Sequence, residues 1–335
     1  MSIYYRPIIQ NDASRPDHFY YLGGQRKWFD KVEIIKRGQK PIILSAHKIP
    51  PEARRKLTDV RRSNHFEPIS GPLIMGIINV TPDSFSDGGR NFETSKAFKA
   101  AENMIANGVN IIDIGGESTR PGAEEIPEDV EFMRISPLIN AIKSKHPKCK
   151  ISVDTRKSSV MRRVIELGVD FINDVSALTF DEKSRKVLEK ENAQICLMHG
   201  GLNPKKMQKN IFYDDVLLDV YDYLEDRIEV AISGGIKKEN ILIDPGIGFG
   251  KTTKQNIVLI RKASIFHSLG CPIVYGVSRK RFIGEIGQAP KVSERFPGSM
   301  TVAIELIRQG VQVIRVHDVQ KTRQALDLWE AICEG

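Results

Sequence analysis

Residues 76–89 read GIINVTPDSFSDGG. The apolar run Leu73–Ile78 that leads into them has the length and β-branched content of a buried strand, and Asn79 ends it. Turn formers follow (Pro82, Asp83, Ser84, Ser86, Asp87, Gly88 and Gly89), so the strand opens into a loop crowded with side-chain oxygens. A single loop of this kind says little, because loops are polar in general. What decides the fold is that the unit recurs. Strand-like runs stand at Leu73–Ile78, Asn110–Ile114, Lys150–Val153, Asp170–Ile172, Gln194–Met198, Asn240–Ile243, Ile273–Val277 and Gln312–Val316. Segments of helical period follow them: Thr94–Asn107, Pro127–Lys145, Lys157–Leu167, Asp181–Glu191, Tyr213–Ser233, Asn256–Ser268, Pro297–Arg308 and Val319–Cys333. Eight strand–helix pairs in roughly 260 residues match the number and size of a (β/α)8 TIM barrel, an α/β fold. A doubly wound open sheet is the competing arrangement, and it does not normally need eight such regular units.

Composition sets the outer limits. A chain of 335 residues, 41% hydrophobic and 27% charged, is that of a soluble globular protein with room for one barrel-sized domain. No apolar run is long enough to span a bilayer, and the N-terminus MSIYYRPIIQ lacks the layout of a secretory signal, so a cytoplasmic protein without a membrane partner is expected. Cys149, Cys196, Cys271 and Cys333 lie far apart with no paired spacing, which points to reduced thiols. The net charge of +8 is concentrated at one end: residues 1–70 carry 14 Lys and Arg against 7 Asp and Glu, a net of +7, which leaves +1 for residues 71–335. The main body therefore has little electrostatic support for binding nucleic acid. Residues 1–70 are expected to form a basic N-terminal extension to the barrel at 71–335. Within it KWFDKVEII (27–35) reads as a strand or hairpin, and Pro51–Val60 as a short basic helix opening on a proline. Such a segment is either a solvated flank or an arm that packs on the barrel or on another copy.

In a (β/α)8 barrel the active site is built at the C-terminal ends of the strands. Those ends carry Asn79, then Glu117-Ser118-Thr119-Arg120, Asp154, Asn173-Asp174, His199, Asp244, Ser278-Arg279-Lys280 and Arg315-Val316-His317-Asp318. One polar strand end means little, and any one acidic residue has the alternative of a helix cap or an ion pair. All eight together point to a converging site. Asp154 and Asp244 are acceptors and Asn173 is both donor and acceptor, a set that suits a flat heterocycle with adjacent N–H groups. Arg120, Arg315 and His317 offer positive charge and forked donors for phosphate. Asn79 adds a hard oxygen that a Mg2+–diphosphate can use. Three look-alikes fail. DPGIGFGKT (244–252) has Pro245 where a P-loop needs glycine, the seven histidines show neither HxH nor HExxH spacing, and no serine or cysteine sits in a nucleophile elbow.

INVTPDSFSDGG (78–89), GGESTRPGA (115–123), SVDT (152–155), IND (172–174), LMH (197–199), DPGIGFGK (244–251), SRKRFIG (278–284) and RVHDV (315–319) occur together and in order. Over residues 71–335 this set resembles the bacterial dihydropteroate synthase family. The resemblance implies a (β/α)8 barrel in which p-aminobenzoate attacks the methylene of 6-hydroxymethyl-7,8-dihydropterin diphosphate, giving 7,8-dihydropteroate and diphosphate. It also implies roles for individual residues. Asp154, Asn173 and Asp244 would hold the pterin edge with Lys280 against the ring, and Lys280, Asp154 and Asp244 would carry the catalysis. Asn79 would ligate Mg2+ on the diphosphate, helped by Arg120, Arg315 and His317, while Thr119, Pro121, Phe249 and Ser278 would border the p-aminobenzoate pocket. Sulfonamide inhibition and a homodimer are further implications.

Two departures stand out: His199 is followed by GGLNPKK, unlike many members, and residues 1–70 have no counterpart in the shortest ones. A related pterin barrel, a methyltetrahydrofolate:corrinoid methyltransferase, would share the acidic pocket but has no use for a diphosphate site. A non-catalytic protein binding RNA through its basic arm would leave the eight polar strand ends unexplained.

Overall fold

The computed structural model describes residues 2–61, 71–81, 90–118, 123–200 and 212–334. The first of these segments is ordered rather than a solvated flank. Strands β1 (Tyr4–Pro7), β4 (Lys31–Ile35) and β5 (Ile42–Ser45) form an antiparallel sheet in the order β1-β4-β5, and β2 (Tyr20–Tyr21) pairs antiparallel with β3 (Trp28–Phe29). Helix α1 (Pro51–Thr58) opens on Pro51, whose fixed φ suits the first turn. Leu22, Phe29, Val32, Ile34, Ile49 and Leu57 bury one another in a small core of the arm's own.

The barrel follows. Its strands are β6 (Leu73–Asn79), β7 (Ile111–Gly115), β8 (Lys150–Asp154), β9 (Phe171–Asp174), β10 (Gln194–Met198), β11 (Ile241–Asp244), β12 (Val274–Gly276) and β13 (Val313–Val316). The helices are α2 (Arg90–Ala106), α3 (Glu128–Lys145), α4 (Ser158–Glu166), α5 (Ser184–Lys190), α6 (Val216–Ser233), α7 (Thr253–Arg261), α8 (Arg281–Ile286), α9 (Phe296–Arg308) and α10 (Val319–Glu334). All strands pair in parallel, in the order β11-β10-β9-β8-β7-β6-β13-β12. A bridge between Ile243 and Ile273 closes the ring, with Ile243 N–H donating to the Pro272 carbonyl at 3.0 Å.

Alternation along the strands divides the side chains between two cores. Ile112, Ile114, Ile151, Val153, Ile172, Ile195, Leu197, Ile241 and Ile243 face outward and pack under the helices, which contribute Leu138, Ile142, Val160, Val164, Leu224 and Ile228. Met75, Ile111, Phe171, Cys196, Leu242, Val274 and Val313, from seven of the eight strands, fill the barrel interior as a separate apolar cluster. The four cysteines are unpaired, with Cys196 and Cys271 buried. Among the described residues no helix is long and apolar enough to cross a membrane.

The element pattern read from the sequence holds, with two differences around β12. The expected helix 256–268 stops at Arg261 and continues as a 3-10 segment, Ala263–Leu269. Gln309 and the arm hold that segment: Ser264 N–H donates to Gln309 Oε1 at 3.2 Å, and Arg61 draws off the carbonyls of His267 and Gly270. The second difference is that the SRKRFIG stretch forms the short helix α8 before α9 begins.

The arm packs against this 3-10 segment and the neighbouring helices. Tyr4 meets the Tyr221 ring edge-on at 5.2 Å between centroids. Arg37 pairs with Asp219 and Asp222 of α6 at 2.7 Å each, and Lys262 reaches Glu33 at 2.7 Å. Gln25 donates to the Gly310 carbonyl at 2.9 Å. Part of the arm's positive charge is therefore spent on carboxylates of the same chain.

Candidate active site at the carboxyl ends of the strands

On four of the strands, one step of two residues carries the chain from the apolar interior cluster to a polar layer above it. On β7 this goes from Ile111 to Asp113, on β9 from Phe171 to Asn173, on β11 from Leu242 to Asp244, and on β13 from Val313 to Arg315. Asp154 ends β8 at the same level, with its backbone in register with Gly115 and Asn173. The resulting pocket is lined by Asp154, Asn173, Asp244, Phe249, Lys280 and Arg315, with Val175, Met198 and Ile247 as apolar walls. A larger cavity, of about 410 Å3, lies where the arm meets the barrel, and no strand-end group contributes to it.

Arg315 is the hub of the floor. Its Nε donates to Asp113 Oδ2 at 2.7 Å, and its Nη2 approaches the same oxygen at 2.5 Å and Asp154 Oδ2 at 3.2 Å. Asp113 is fully buried, and its Oδ1, like Asp154 Oδ1, has no partner among the described residues. Burial pushes the Asp154 carboxyl up to about 7; Arg315 opposes the rise, while Asp113, Glu131 and Asp174 add to it. Asp244 is also raised by burial, against the Gly246 N–H that donates to its Oδ1 at 2.8 Å. Lys280 projects into the same space, its ammonium 4.3 Å from the centroid of the Phe249 ring. Burial and the nearby Arg315 bring that ammonium down to about 8, against the pull of Asp244 and Asp154.

The loop 245–251 carries Phe249 to the pocket. Gly246 adopts φ +70°, and a Cβ there would fall 2.0 Å from the His199 carbonyl oxygen, so only glycine fits the turn. At the facing wall, a side chain at Gly115 would stand 3.2 Å from Asn79 Oδ1 and 3.8 Å from Asp154 Cβ. The bare backbone at 115 thus leaves Asn79 and Asp154 as neighbours across it. Ser278 and His317 form a pair at the ends of β12 and β13, with Nδ1 to Oγ at 3.0 Å. Burial holds His317 down to about 4, with Arg279 and Arg315 adding to the effect. The ring is neutral at neutral pH, so it offers hydrogen bonding instead of the positive charge expected of it.

Several strand-end groups are spent within the fold. Asp174 accepts from Ser176 N–H at 2.8 Å, Ser176 Oγ at 2.6 Å and Leu178 N–H at 2.8 Å, and so holds a turn in which Ala177 and Leu178 have φ of 50° and 65°. Glu117 pairs with Lys157 at 3.0 Å and Arg156 at 3.3 Å. Arg279 makes a forked contact with Asp318, at 3.0 and 2.6 Å, which ties the end of β12 to that of β13. His199 is bonded through Nδ1 to Lys251 at 2.9 Å.

The structure therefore brings Asp154, Asn173, Asp244, Lys280, Arg315 and Phe249 into one pocket, places Asn79 across Gly115 from Asp154, and pairs Ser278 with His317. Thr119, Arg120 and Pro121, most of the loop after Asn79 and the GGLNPKK loop from Gly201 lie outside the described residues. Two residues of the site had no role in the sequence reading. Asp113 was legible only as a lone carboxylate inside the apolar run of β7, and Lys251 as the lysine of the rejected P-loop look-alike.

Residues 75–317 match the pterin binding enzyme family. The chain is 41% identical over 263 residues to the dihydropteroate synthase of Haemophilus influenzae, covering 78% of this chain and 94% of that protein. Among solved structures it is similar to Xanthomonas albilineans dihydropteroate synthase with 4-aminobenzoic acid, with TM-score 0.76, 37% identity, and 82% and 98% of the two chains covered. It is likewise similar to the Yersinia pestis dihydropteroate synthase–sulfonamide complex, with TM-score 0.75, 38% identity, and 80% and 97% covered.

Proposed function

The chain belongs to the pterin binding enzymes, and from that premise we propose that it acts as a dihydropteroate synthase, joining p-aminobenzoate to 6-hydroxymethyl-7,8-dihydropterin diphosphate in folate biosynthesis. The observation that carries the reading is the buried pocket in which two carboxylates, an amide, an ammonium and a guanidinium converge.

Asp154, Asn173 and Asp244 bind the N–H edge of the pterin. Asp244 keeps Oδ2 for this after Oδ1 has taken Gly246 N–H, and the unpartnered Asp154 Oδ1 is a second acceptor. Donors that reach these buried oxygens recover the cost of leaving them unpaired. Lys280 lies against the ring, over Phe249. As the C–O bond to the diphosphate breaks, its electron pair leaves with the diphosphate and the pterin methylene becomes cationic. Asp154 and Asp244 stabilise that developing positive charge from fixed positions. The amine of p-aminobenzoate then forms the new C–N bond and loses a proton, and no covalent enzyme intermediate is involved. Enclosure by the barrel mouth keeps water from the cation.

Arg315 and His317, with Arg120, attend the diphosphate; Arg315 keeps Nη1 for it, since Nε and Nη2 are committed to Asp113 and Asp154. Thr119, Pro121, Phe249 and Ser278 border the p-aminobenzoate seat. Mg2+ fits the donor set: Asn79 offers one hard amide oxygen at the rim, and magnesium takes its remaining ligands from phosphate and water. Among the described residues there is no cluster of three His, Cys, Asp or Glu side chains to form a cage of protein ligands, so Asn79 would hold the ion together with the substrate. When bound, the ion neutralises charge on the departing diphosphate. A cytoplasmic homodimer completes the proposal. The test is to incubate the purified chain with Mg2+, the pterin diphosphate and p-aminobenzoate; dihydropteroate is the expected product, and its absence from folded protein overturns the reading.

A further inference from the structure

Lys251 is buried at the end of the loop after β11 but is not one of the side chains lining the pocket. Its ammonium lies 2.9 Å from His199 Nδ1, 2.9 Å from the Gly246 carbonyl, 2.9 Å from the Phe249 carbonyl and 3.1 Å from the His199 carbonyl. None of these acceptors is a carboxylate. An ammonium has three protons and no acceptor capacity, so Lys251 uses all of them to bridge the end of β10 to the loop after β11. Asn256 grips the same loop from α7: its Oδ1 accepts from Gly248 N–H at 2.8 Å, and its Nδ2 donates to the Thr252 carbonyl at 2.9 Å. Phe249 sits between the two clamps, and its ring is the face over which Lys280 lies at 4.3 Å. The glycines at 246, 248 and 250 all have positive φ, and besides a turn from Phe249 N–H to the Gly246 carbonyl at 3.2 Å and the Tyr213 hydroxyl donating to the Gly250 carbonyl at 3.1 Å, these side chains hold the loop.

We infer that Lys251 is a positioning residue for the reaction: by tying the His199, Gly246 and Phe249 carbonyls together it fixes the Phe249 ring, and with it the seat of the arylamine substrate beside Lys280. The inference rests on the function proposed above. Two further observations agree with it. Burial holds His199 well below its ordinary value, with Lys251 adding to the effect, so the ring is neutral and one of its two nitrogens carries a lone pair, as the clasp requires of Nδ1. Burial also lowers Lys251 itself, to about 7, as expected for an ammonium enclosed by neutral acceptors.

The experiment is a double-mutant cycle of Lys251→Met and Phe249→Ala, read as KM for p-aminobenzoate and for the pterin diphosphate separately. Lys251→Met alone should raise KM for p-aminobenzoate about tenfold, less than the roughly hundredfold that an ångström of misplacement costs at reacting atoms. KM for the pterin diphosphate should stay within about twofold, because Asp154 and Asn173 stand on β8 and β9 and Asp244 is held in the β11 ladder ahead of the loop. In the Phe249→Ala background the same substitution should have almost no further effect, since the group it acts through is gone. Equal factors in both backgrounds, or equal loss for both substrates, would overturn the inference. Should Lys251→Met not fold, the ring 15N shifts of His199 in the wild-type protein decide: an unprotonated Nδ1 through the neutral range supports the clasp, and a protonated Nδ1 overturns it. Failure of the wild-type chain to make dihydropteroate would instead defeat the functional reading, so the two failures are distinguishable.

Discussion

Replacing Asp154 with asparagine should make the ligand-free protein more stable at mildly alkaline pH while it abolishes pterin binding. The carboxyl is enclosed, faces Asp113 and Glu131, and rises from 3.8 to about 7 in the fold. A raised folded-state value means that the native state holds the proton more tightly than the unfolded chain. The stabilising contribution is complete below the unfolded value and is lost as pH rises through the folded one. Three units at about 1.4 kcal/mol each amount to roughly 4 kcal/mol of destabilisation once Asp154 is ionised. By the same relation, about 2 kcal/mol of this is already present near pH 5.5. Asparagine removes the titration but keeps an oxygen for Arg315 Nη2, now 3.2 Å from Asp154 Oδ2. The variant's stability relative to wild type should therefore be roughly 2 kcal/mol greater at about pH 8 than at about pH 5.5. Urea unfolding at the two pH values measures the gap, and calorimetry with the pterin measures the lost binding. A gap that does not change with pH, or a variant less stable than wild type at the higher pH, would refute the account of the pocket floor. A stabilised but inactive variant would identify Asp154 as a site where stability is given up for function.

Asp244→Asn should weaken pterin binding by about 1.5–3 kcal/mol with the fold retained, because a charged acceptor is lost beneath buried donors; unchanged affinity in a folded variant would remove Asp244 from the site. Lys280→Ala should impair use of both substrates, since the ammonium stands between the carboxylates and the Phe249 ring. A loss confined to one substrate in steady-state kinetics would contradict that placement. Arg61→Ala should loosen the arm: the guanidinium donates to the Lys56 and His267 carbonyls at 2.6 and 2.9 Å, so about 2–4 kcal/mol of stability should go. Limited proteolysis should then cut the arm faster, while kcat and both KM values of the folded enzyme stay put; altered KM would show that the arm shapes the site. A sulfonamide should bind tightly in the presence of pterin or of Mg2+ and diphosphate, and poorly to the empty barrel, because the p-aminobenzoate seat is completed by the bound first substrate. Calorimetry giving equal affinity in both states would exclude the ordered site.

The barrel was legible because each strand run is β-branched and each helix has its own period, so the repeat shows without any long-range information. The arm was not legible in the same way. Its strands are two to five residues long, and their partners lie far along the chain, as in the register of Tyr4 with Ile35. Its docking depends on pairs such as Arg37 with Asp219 and Asp222, which no local pattern announces. The 3-10 segment 263–269 has the sequence of a helix and differs from it for a related reason. Its composition suits a helix, but Arg61 and Gln309 claim its backbone groups from distant parts of the sequence.

The candidate site shows where a reading confined to strand ends stops. Asp113 lies inside the apolar run of β7, two residues before Gly115, and so falls outside the polar groups that end the strands. In a barrel the strands are staggered, so groups at different positions along their strands stand at one level. Arg315, the third residue of β13, thus meets Asp113 of β7 and Asp154 of β8 together. The cue was available in the period of two: an interior position that is apolar at Ile111 and charged at Asp113 marks the height at which the barrel stops being core. On β9, β11 and β13 the same step from the apolar cluster finds Asn173, Asp244 and Arg315 as well, whereas on β6, β10 and β12 it lands on Ile77, Met198 and Gly276. Lys251 escapes this rule because it lies on a loop, and only the geometry of its four acceptors shows what it does. The pocket's floor follows from strand periodicity, then, and its Phe249 wall from contacts that only the folded chain makes.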